Sequence, residues 1–362
     1  MTIGLHWFLP TAGDSRDIVG FGPGGVRRRP DLDYLTEVAL AAEKNGFDAV
    51  LTPTGTACED AWIATATLIP PTSTLRFLVA FRPGFISPTL AAQQAATFQR
   101  LSSGRLLLNI VTGGSSKEQQ RFGDWLDHDA RYERTAEFIR IVRGAWTGGR
   151  FDLDGTHYTV KGATVSKPPD PTPGIFFGGS SDPAKRVAAE LADVWLMWGE
   201  PPDAAAAELK SVRTLAEDIG RDDLRFGIRL HVISRDRAED AWAETERLLA
   251  SMPDDKVAGG RHLEIHSESV GQHRMRALNQ GTKDDLVIAP NLWAGYGLVR
   301  PGAGTALVGG HEEVAERIAE YHALGFDHFI LSGQPHLEEA YWFGEGVVPL
   351  LRRRGLLNGE PA

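Results

Sequence analysis

The stretch Phe226-Gly227-Ile228-Arg229-Leu230-His231-Val232-Ile233 carries the most suggestive chemistry in the chain. Apolar residues alternate there with Gly227, Arg229 and His231, the period-two pattern of a strand with two unlike faces. Arg229 and His231 are two apart and project from the same face. A strand so rich in Phe, Ile and Val is interior, where an unpaired guanidinium is costly. The pair therefore reads as facing a wet cavity that holds an anion. An arginine salt-bridged to a core carboxylate, beside a hydrogen-bonded core imidazole, would give the same pattern, and both readings stand at this point.

Other candidates collect in loops. Gly178-Gly179-Ser180-Ser181 sits just before a helix, where backbone N–H groups and the helix dipole favour a phosphate; a plain turn is the alternative. Asn109 and Thr112 could hydrogen-bond a heterocycle or simply close a strand end. His128 and Tyr132, four apart, share one face of a helix. Cys58 is followed by Glu59 and Asp60, which oppose thiolate formation, so it reads as a small polar neighbour to a ligand. His336 beside Glu338 and Glu339 could act as acid or base, or cap a helix. Arg300 lies in the Gly-rich run Gly297–Gly304, where it could close over an anion or stand exposed in a loop. His262 and His266 have helical i, i+4 spacing, but no ligand set converges on them, and no metal site is expected.

The bulk of the chain limits the classes of function. At 362 residues it can form one large domain or two ordinary ones. With 42% hydrophobic and 24% charged residues it resembles a soluble enzyme. A net charge of −10 argues against nucleic-acid binding. Arg27-Arg28-Arg29 and Arg352-Arg353-Arg354 are short and read as solvated. A single cysteine excludes an intrachain disulfide and fits a reducing compartment, the cytoplasm. The N-terminus shows no signal peptide pattern, and no run of eighteen apolar residues suggests a membrane span.

Eight strands are expected to position these residues: 3–9, 47–51, 75–81, 105–112, 174–178, 194–198, 226–233 and 326–331. Helices alternate with them, near 31–45, 59–68, 88–101, 131–146, 183–192, 201–218, 237–251, 311–324 and 337–353. A small hairpin is expected within 149–166. Residues 253–305 break the rhythm, and an excursion of that length reads as a lid or a disordered segment. Eight βα units favour an eight-stranded α/β barrel, a TIM barrel, over a doubly wound sheet, and no G-x-G-x-x-G follows the first strand. In such a barrel the chemistry sits at the C-terminal strand ends, where the candidates above collect.

Beyond these local signals, the chain resembles the flavin-dependent alkanesulfonate monooxygenases of the bacterial-luciferase-like superfamily. The matching segments run in order through nearly the whole chain: WFLPT (7–11), PTG with CEDAW (53–62), SPT (87–89), NIVTGG (109–114), RYE (131–133), FGGSSD (177–182), WGEPP (198–202), RFGIRLHVI (225–233), NLWAG (291–295), GLVR with GAGTALVG (297–309) and SG-x-PHLEEAY (332–341). The resemblance implies one TIM-barrel domain over residues 1–362 with a mobile insertion at 253–305. It implies a homo-oligomer, dimer or tetramer. It implies reduced FMN (FMNH2) supplied by a separate NAD(P)H-dependent flavin reductase, O2 as co-substrate, and cleavage of an organosulfonate C–S bond to sulfite and an aldehyde.

By the same resemblance, Arg229 and His231 would lie beside flavin and sulfonate, and Arg300 would complete the sulfonate site from the lid. Trp198 would wall the pocket and Cys58 would line the flavin edge. Asn109, Thr112, His128, Tyr132, Gly179, Ser180 and Ser181 would hold FMN, the last two at its phosphate. Two positions depart from the pattern. Ala12 stands where similar members have His, and Gln334 where they have Tyr. Loss of two rings suggests a larger, more polar pocket and a bulky hydroxylated sulfonate, such as the sulfosugar sulfoquinovose; with Gln334 and His336 nearby, the proton donor could also differ. A deazaflavin-dependent dehydrogenase of the same superfamily and a non-catalytic flavin-binding protein are the competing readings.

Overall fold

Eight parallel strands close on themselves: β1 (Gly4–Phe8), β2 (Ala49–Thr52), β3 (Arg76–Phe81), β4 (Leu106–Ile110), β5 (Ile175–Gly178), β6 (Val194–Trp198), β7 (Arg225–Arg235) and β8 (His328–Ser332). Each pairs with the next, and β8 returns to β1 with Gly4 opposite His328. The result is an α/β barrel of the expected TIM type. It is seen in a computed structural model that describes residues 2–19, 28–264 and 267–358, the side chains of 260–264 excepted. His266, Arg27 and the last four residues lie outside the described residues, as does the side chain of His262.

Local chemistry sets the element boundaries. Asp31 accepts the Tyr34 N–H at 3.0 Å and opens helix Leu32–Lys44. Ser87 caps helix Pro88–Leu101, whose first residue is the proline that position tolerates best. Gly325, at φ +112°, ends helix His311–Leu324. Asp127 accepts the Ala130 N–H at 2.9 Å and starts helix His128–Ala145 three residues earlier than the apolar pattern suggested.

Apolar residues divide among three places. One set, including Leu5, Trp7, Val50, Phe77, Leu108, Phe177 and Phe329, packs between strands and helices. A smaller set inside the barrel includes Leu51, Leu78, Leu107, Phe176 and Ile330. His6 and His328 also point inside, 3.0 Å apart near the N-terminal floor. A third set, including Ile233, Leu248, Trp293, Tyr296 and Val308, lies under the excursion. Burial on this scale is the main stabilising force, roughly 25 cal/mol per Å2 of apolar surface.

The excursion, read in the sequence as a lid or disordered segment with short helical patterns, carries regular structure. It contains helices Asp254–Glu264 and Val270–Ala277, short antiparallel strands Val287–Ala289 and Leu292–Trp293, and a 3-10 turn at Gly295–Leu298. A further strand, Ala306–Gly310, returns the chain to the barrel. It falls between the excursion and the helix at 311–324, where the sequence reading placed no element.

That returning strand explains the length of β7, which has 11 residues. Residues Arg225 to Arg229 of β7 pair with β6. Where β6 ends at Trp198, the same edge continues with His231 to Arg235 paired to Ala306–Gly310. One strand thus serves two neighbours in succession. Among the described residues no helix is long and apolar enough to cross a membrane.

Candidate active site

A cavity of about 800 Å3 opens at the C-terminal ends of the strands. Of the residues singled out above, Cys58, Asn109, Thr112, His128 and Tyr132 line it, as do Gly179, Ser180, Ser181, Trp198, Arg229 and Arg300. His231, Gln334, His336 and Ala12 do not.

One pole is built from hydroxyl groups and a helix end. β5 runs into Gly179, and the Gly179 carbonyl accepts the Trp195 indole N–H at 2.9 Å, which fixes the turn. Ser181 occupies the N-cap position of helix Asp182–Leu191, yet its side chain makes no capping bond. Its Oγ and the Thr112 Oγ1 are buried without a hydrogen-bond partner among the described residues. Tyr132 stands over the same turn. A Cβ added at Gly179 would lie 2.5 Å from Ala184 Cβ and 3.2 Å from the Tyr132 hydroxyl, and Gly179 sits at φ +151°. Burial pushes the Tyr132 phenol up, opposed by the Ser181 and Thr112 hydroxyls. His128 packs edge-on against Tyr132 at 4.9 Å. Hydroxyl groups gathered at a helix N-terminus, beside a glycine that admits close approach, suit a phosphate ester. The chemistry of this donor set therefore fits the phosphate of FMN.

The other pole is cationic. Arg229 points inward from β7, with its guanidinium 4.9 Å above the Phe8 ring. It donates to the Ser332 hydroxyl at 2.7 Å and to the carbonyls of Leu230 and Ile330. Among the described residues no carboxylate pairs with it. Burial, then the nearby Arg300 guanidinium, pulls its pKa down to about 9. Arg300 comes from the excursion and donates to the Gln334 amide oxygen at 3.2 Å; burial lowers it too. Two guanidinium groups that line one cavity and feel each other's charge favour an anion there, because an ion offsets their mutual repulsion.

His231 breaks the expectation that it shares this cavity with Arg229. It points the same way, but at its height the interior is filled. Its ring lies flat on Tyr296, with centroids 3.9 Å apart and planes within 2°. Its Nε2 is 3.1 Å from the Ala303 carbonyl and its Nδ1 is 2.8 Å from the Ser332 hydroxyl. It is 4% exposed. Burial first, then Arg229 and Arg300, holds its pKa well below the usual range, so it is neutral. Period-two reasoning gave the direction of the side chain; it could not see a tyrosine distant in sequence.

Gln334 lies behind the cavity wall. Besides accepting from Arg300, it donates to the Asp17 carbonyl at 2.6 Å. His336 is 3% exposed and sits beneath Phe8, ring centroids 5.7 Å apart. Its backbone N–H donates to Asp14 at 2.7 Å, and its ring Nδ1 lies 3.1 Å from the same carboxylate. Burial would raise Asp14, but His336 and Tyr34 outweigh it and keep the carboxyl low. The acid or base expected of His336 therefore has no direct access to the cavity, because Phe8 covers it. Ala12 also lies off the cavity wall.

Cys58 borders the space between the poles, and burial pushes its thiol up. Trp198 ends β6 and receives helix Val270–Ala277: a Cβ on Gly271 would come 3.2 Å from its ring. Sequence reading missed Arg82, which lines the cavity at the end of β3 and pairs with Glu118 at 2.8 Å. Inspecting the end of every strand would have found it. It also missed the excursion's moorings. Glu268 meets Arg131 at 2.7 Å, and Arg274 meets both Glu200 and Glu208. The Gly302 N–H donates to Gln272 at 2.8 Å. No metal-binding group of three or more His, Cys, Asp or Glu exists among the described residues.

A family model described as luciferase-like monooxygenase matches residues 4–328. Solved structures share the fold at low identity. A riboflavin lyase with modified FMN and substrate riboflavin superposes with a TM-score of 0.81 at 22% identity, covering 100% of this chain and 94% of that one. An EDTA monooxygenase from Chelativorans sp. BNC1 gives 0.80 at 20%, covering 100% and 97%. An F420-dependent secondary alcohol dehydrogenase in complex with an F420-acetone adduct gives 0.69 at 17%, covering 97% and 100%.

Proposed function

Given that the chain belongs to the luciferase-like monooxygenase family, we propose that it uses reduced FMN and O2 to cleave the C–S bond of an organosulfonate. The balance is sulfonate plus FMNH2 plus O2 giving an aldehyde, sulfite, FMN and water. A separate NAD(P)H-dependent flavin reductase would supply the reduced flavin, and the chain would act as a homo-oligomer. The observation that carries this reading is the guanidinium pair Arg229 and Arg300 in the same cavity as the Gly179–Ser181 turn.

Bound reduced flavin would supply the two electrons that activate oxygen. The protein's part is to bind, orient and exclude water. Ser180, Ser181, Thr112 and Tyr132 would hold the phosphate, with Asn109 and His128 beside them. Cys58 and Trp198 would border the ring. Arg229 and Arg300 would grip the sulfonate with charge-assisted hydrogen bonds and hold its carbon toward the flavin. The excursion, moored by Arg131–Glu268 and Arg274–Glu200, would keep water out. Gln334 would act from behind, through Arg300. A cavity of about 800 Å3 has room for a hydroxylated sulfonate such as sulfoquinovose beside a flavin.

The test is sulfite release across a panel of sulfosugars and linear alkanesulfonates, with a flavin reductase supplied. Sulfite from the panel, greatest with the sulfosugar, is the expected result. Preference for linear compounds would remove the sulfosugar assignment. No sulfite from any member, with reduction of an oxidised deazaflavin by an alcohol substrate instead, would replace the proposal by a dehydrogenase reading. FMN binding without any turnover would leave a flavin-binding protein.

A further inference from the structure

His231 reaches two elements that each carry a cation of the anion pole. The Ala303 carbonyl can only accept, so the Nε2 facing it at 3.1 Å carries the ring proton. The Nδ1 must then accept from the Ser332 hydroxyl at 2.8 Å. That hydroxyl oxygen in turn accepts from Arg229 Nη2 at 2.7 Å. The donors run one way, from guanidinium to hydroxyl to imidazole to carbonyl. The ring also lies on Tyr296. Tyr296 and Ala303 flank Arg300, so both sides of the Arg300 loop meet one imidazole.

We propose that His231 is a positioning residue, a hydrogen-bonded tie that sets the Arg300 loop against the strand carrying Arg229. The proposal rests on the reading that those two arginines hold the substrate anion. The loop has other moorings: Gly302 on Gln272, Thr305 on the Gly199 carbonyl at 2.8 Å, Arg300 on Gln334, and the Thr305 carbonyl, which accepts from the His231 backbone N–H at 2.8 Å and is left in place by side-chain substitution at 231. Among these the His231 side chain alone also reaches Arg229 through the Ser332 hydroxyl. Both ring nitrogens are committed and Tyr296 covers the face, so the ring has no route to reacting atoms. Its work is to fix the distance between two like charges that would otherwise separate. The spacing of the two guanidinium groups then decides which anion fits between them.

Two substitutions divide the tie. In His231→Gln, the amide nitrogen falls where Nε2 was and keeps the bond to Ala303. In His231→Asn, the amide oxygen falls where Nδ1 was and keeps the bond to Ser332 but cannot reach Ala303. Amide hydrogen exchange over residues 296–305 of the full chain reports the loop. It is expected to stay within about threefold of wild type in His231→Gln and to quicken about tenfold in His231→Asn, the equivalent of one lost hydrogen bond. Inorganic sulfate, titrated calorimetrically, probes the anion pole, the relevant binding being that which Arg229→Ala removes. Its affinity is expected to fall about tenfold in His231→Asn and in Ser332→Ala, which severs the Arg229 arm while leaving loop exchange near wild type. With the organosulfonate, KM is expected to rise in His231→Asn more than kcat falls.

If His231 works at the reacting atoms instead, Gln and Asn will lose kcat alike while loop exchange and sulfate binding stay at wild type, and the proposal is overturned. Exchange and sulfate binding require no turnover. A protein that releases no sulfite from any sulfonate would thus defeat the function proposed above, while the tie would be judged on these two measurements alone.

Discussion

At the N-terminal floor of the barrel, Arg225 reaches toward Asp327 at 3.7 Å and Arg76 lies in the field of Asp48. At the mouth, Arg229, on the same strand as Arg225, is met by a hydroxyl and two carbonyls. The imidazoles differ too. His6 and His328 hydrogen-bond each other and leave His6 Nδ1 and His328 Nε2 buried without partners. His231 has both nitrogens engaged and ties together parts of a site. Cations at the floor are offset from within the fold, as structural charges are. At the mouth, neutral acceptors orient the Arg229 guanidinium without cancelling its charge, which leaves it for a ligand. Neither the residue type nor its burial separates a structural arginine from a binding one here; the charge of its partners does.

The comparison can be broken most sharply at Arg229. Arg229→Ala is expected to lower sulfite release by about a hundredfold or more, since a buried charge contact to a ligand is typically worth 2–5 kcal/mol. Circular dichroism should show the barrel still folded. Normal saturation and turnover would mean that the mouth is no more functional than the floor.

The floor makes its own prediction, in acid. Burial, then Arg76 and Arg225, lowers the His6 pKa to about 3, and His328 is held well below its ordinary value by burial and His6. Both therefore bind protons more readily unfolded than folded. Their stabilising contribution is whole above pH 6.5 and is lost as pH falls below it, about 1.4 kcal/mol per pH unit for each imidazole until the folded value is reached. Urea midpoints measured from pH 7 to 4 should fall steeply in the wild type and less steeply in His6→Leu/His328→Leu. Equal slopes would show that the pair does not remain neutral.

Within the mouth, the phosphate turn should separate from the guanidinium pole. Ser181→Ala is expected to weaken FMN binding about tenfold, read by fluorescence quenching, and to leave sulfate affinity unchanged. A parallel loss of both would merge the two poles into one. The smallest effect is expected from Arg274→Met, which unfastens helix Val270–Ala277 from Glu200 and Glu208. Arg274 is partly exposed while Glu200 is buried, so faster exchange at 270–277 and at most a few-fold rise in KM should follow, and added salt should mimic it in part in the wild type.

Much of the barrel could be read before any coordinates. Strands such as Leu106–Ile110 and Arg225–Arg235 declare themselves by apolar content and alternation, and helix starts at Asp31 and Ser87 by their caps. The turn at Gly179–Ser181 was visible because glycine, serine and a following helix lie side by side in sequence. What escaped depends on residues far apart in the chain. His231 is excluded from the cavity by Tyr296, Gln334 acts through Arg300, and Arg82 is explained only by Glu118. The strand Ala306–Gly310 escaped for another reason. Its pairing with the overhang of β7 comes from tertiary context, and its glycines argue locally for a turn.

The overhang of β7 has a consequence for how such a molecule can change. The barrel's own seam with β6 stops at Trp198, and the roof is stitched on by a separate run of pairing along Ala306–Gly310. A differently shaped roof could be spliced between residue 253 and residue 305 without unpicking the pairing between barrel strands, provided that run is kept. Selectivity could then be exchanged as a module, while the wall bearing Arg229 is inherited unaltered.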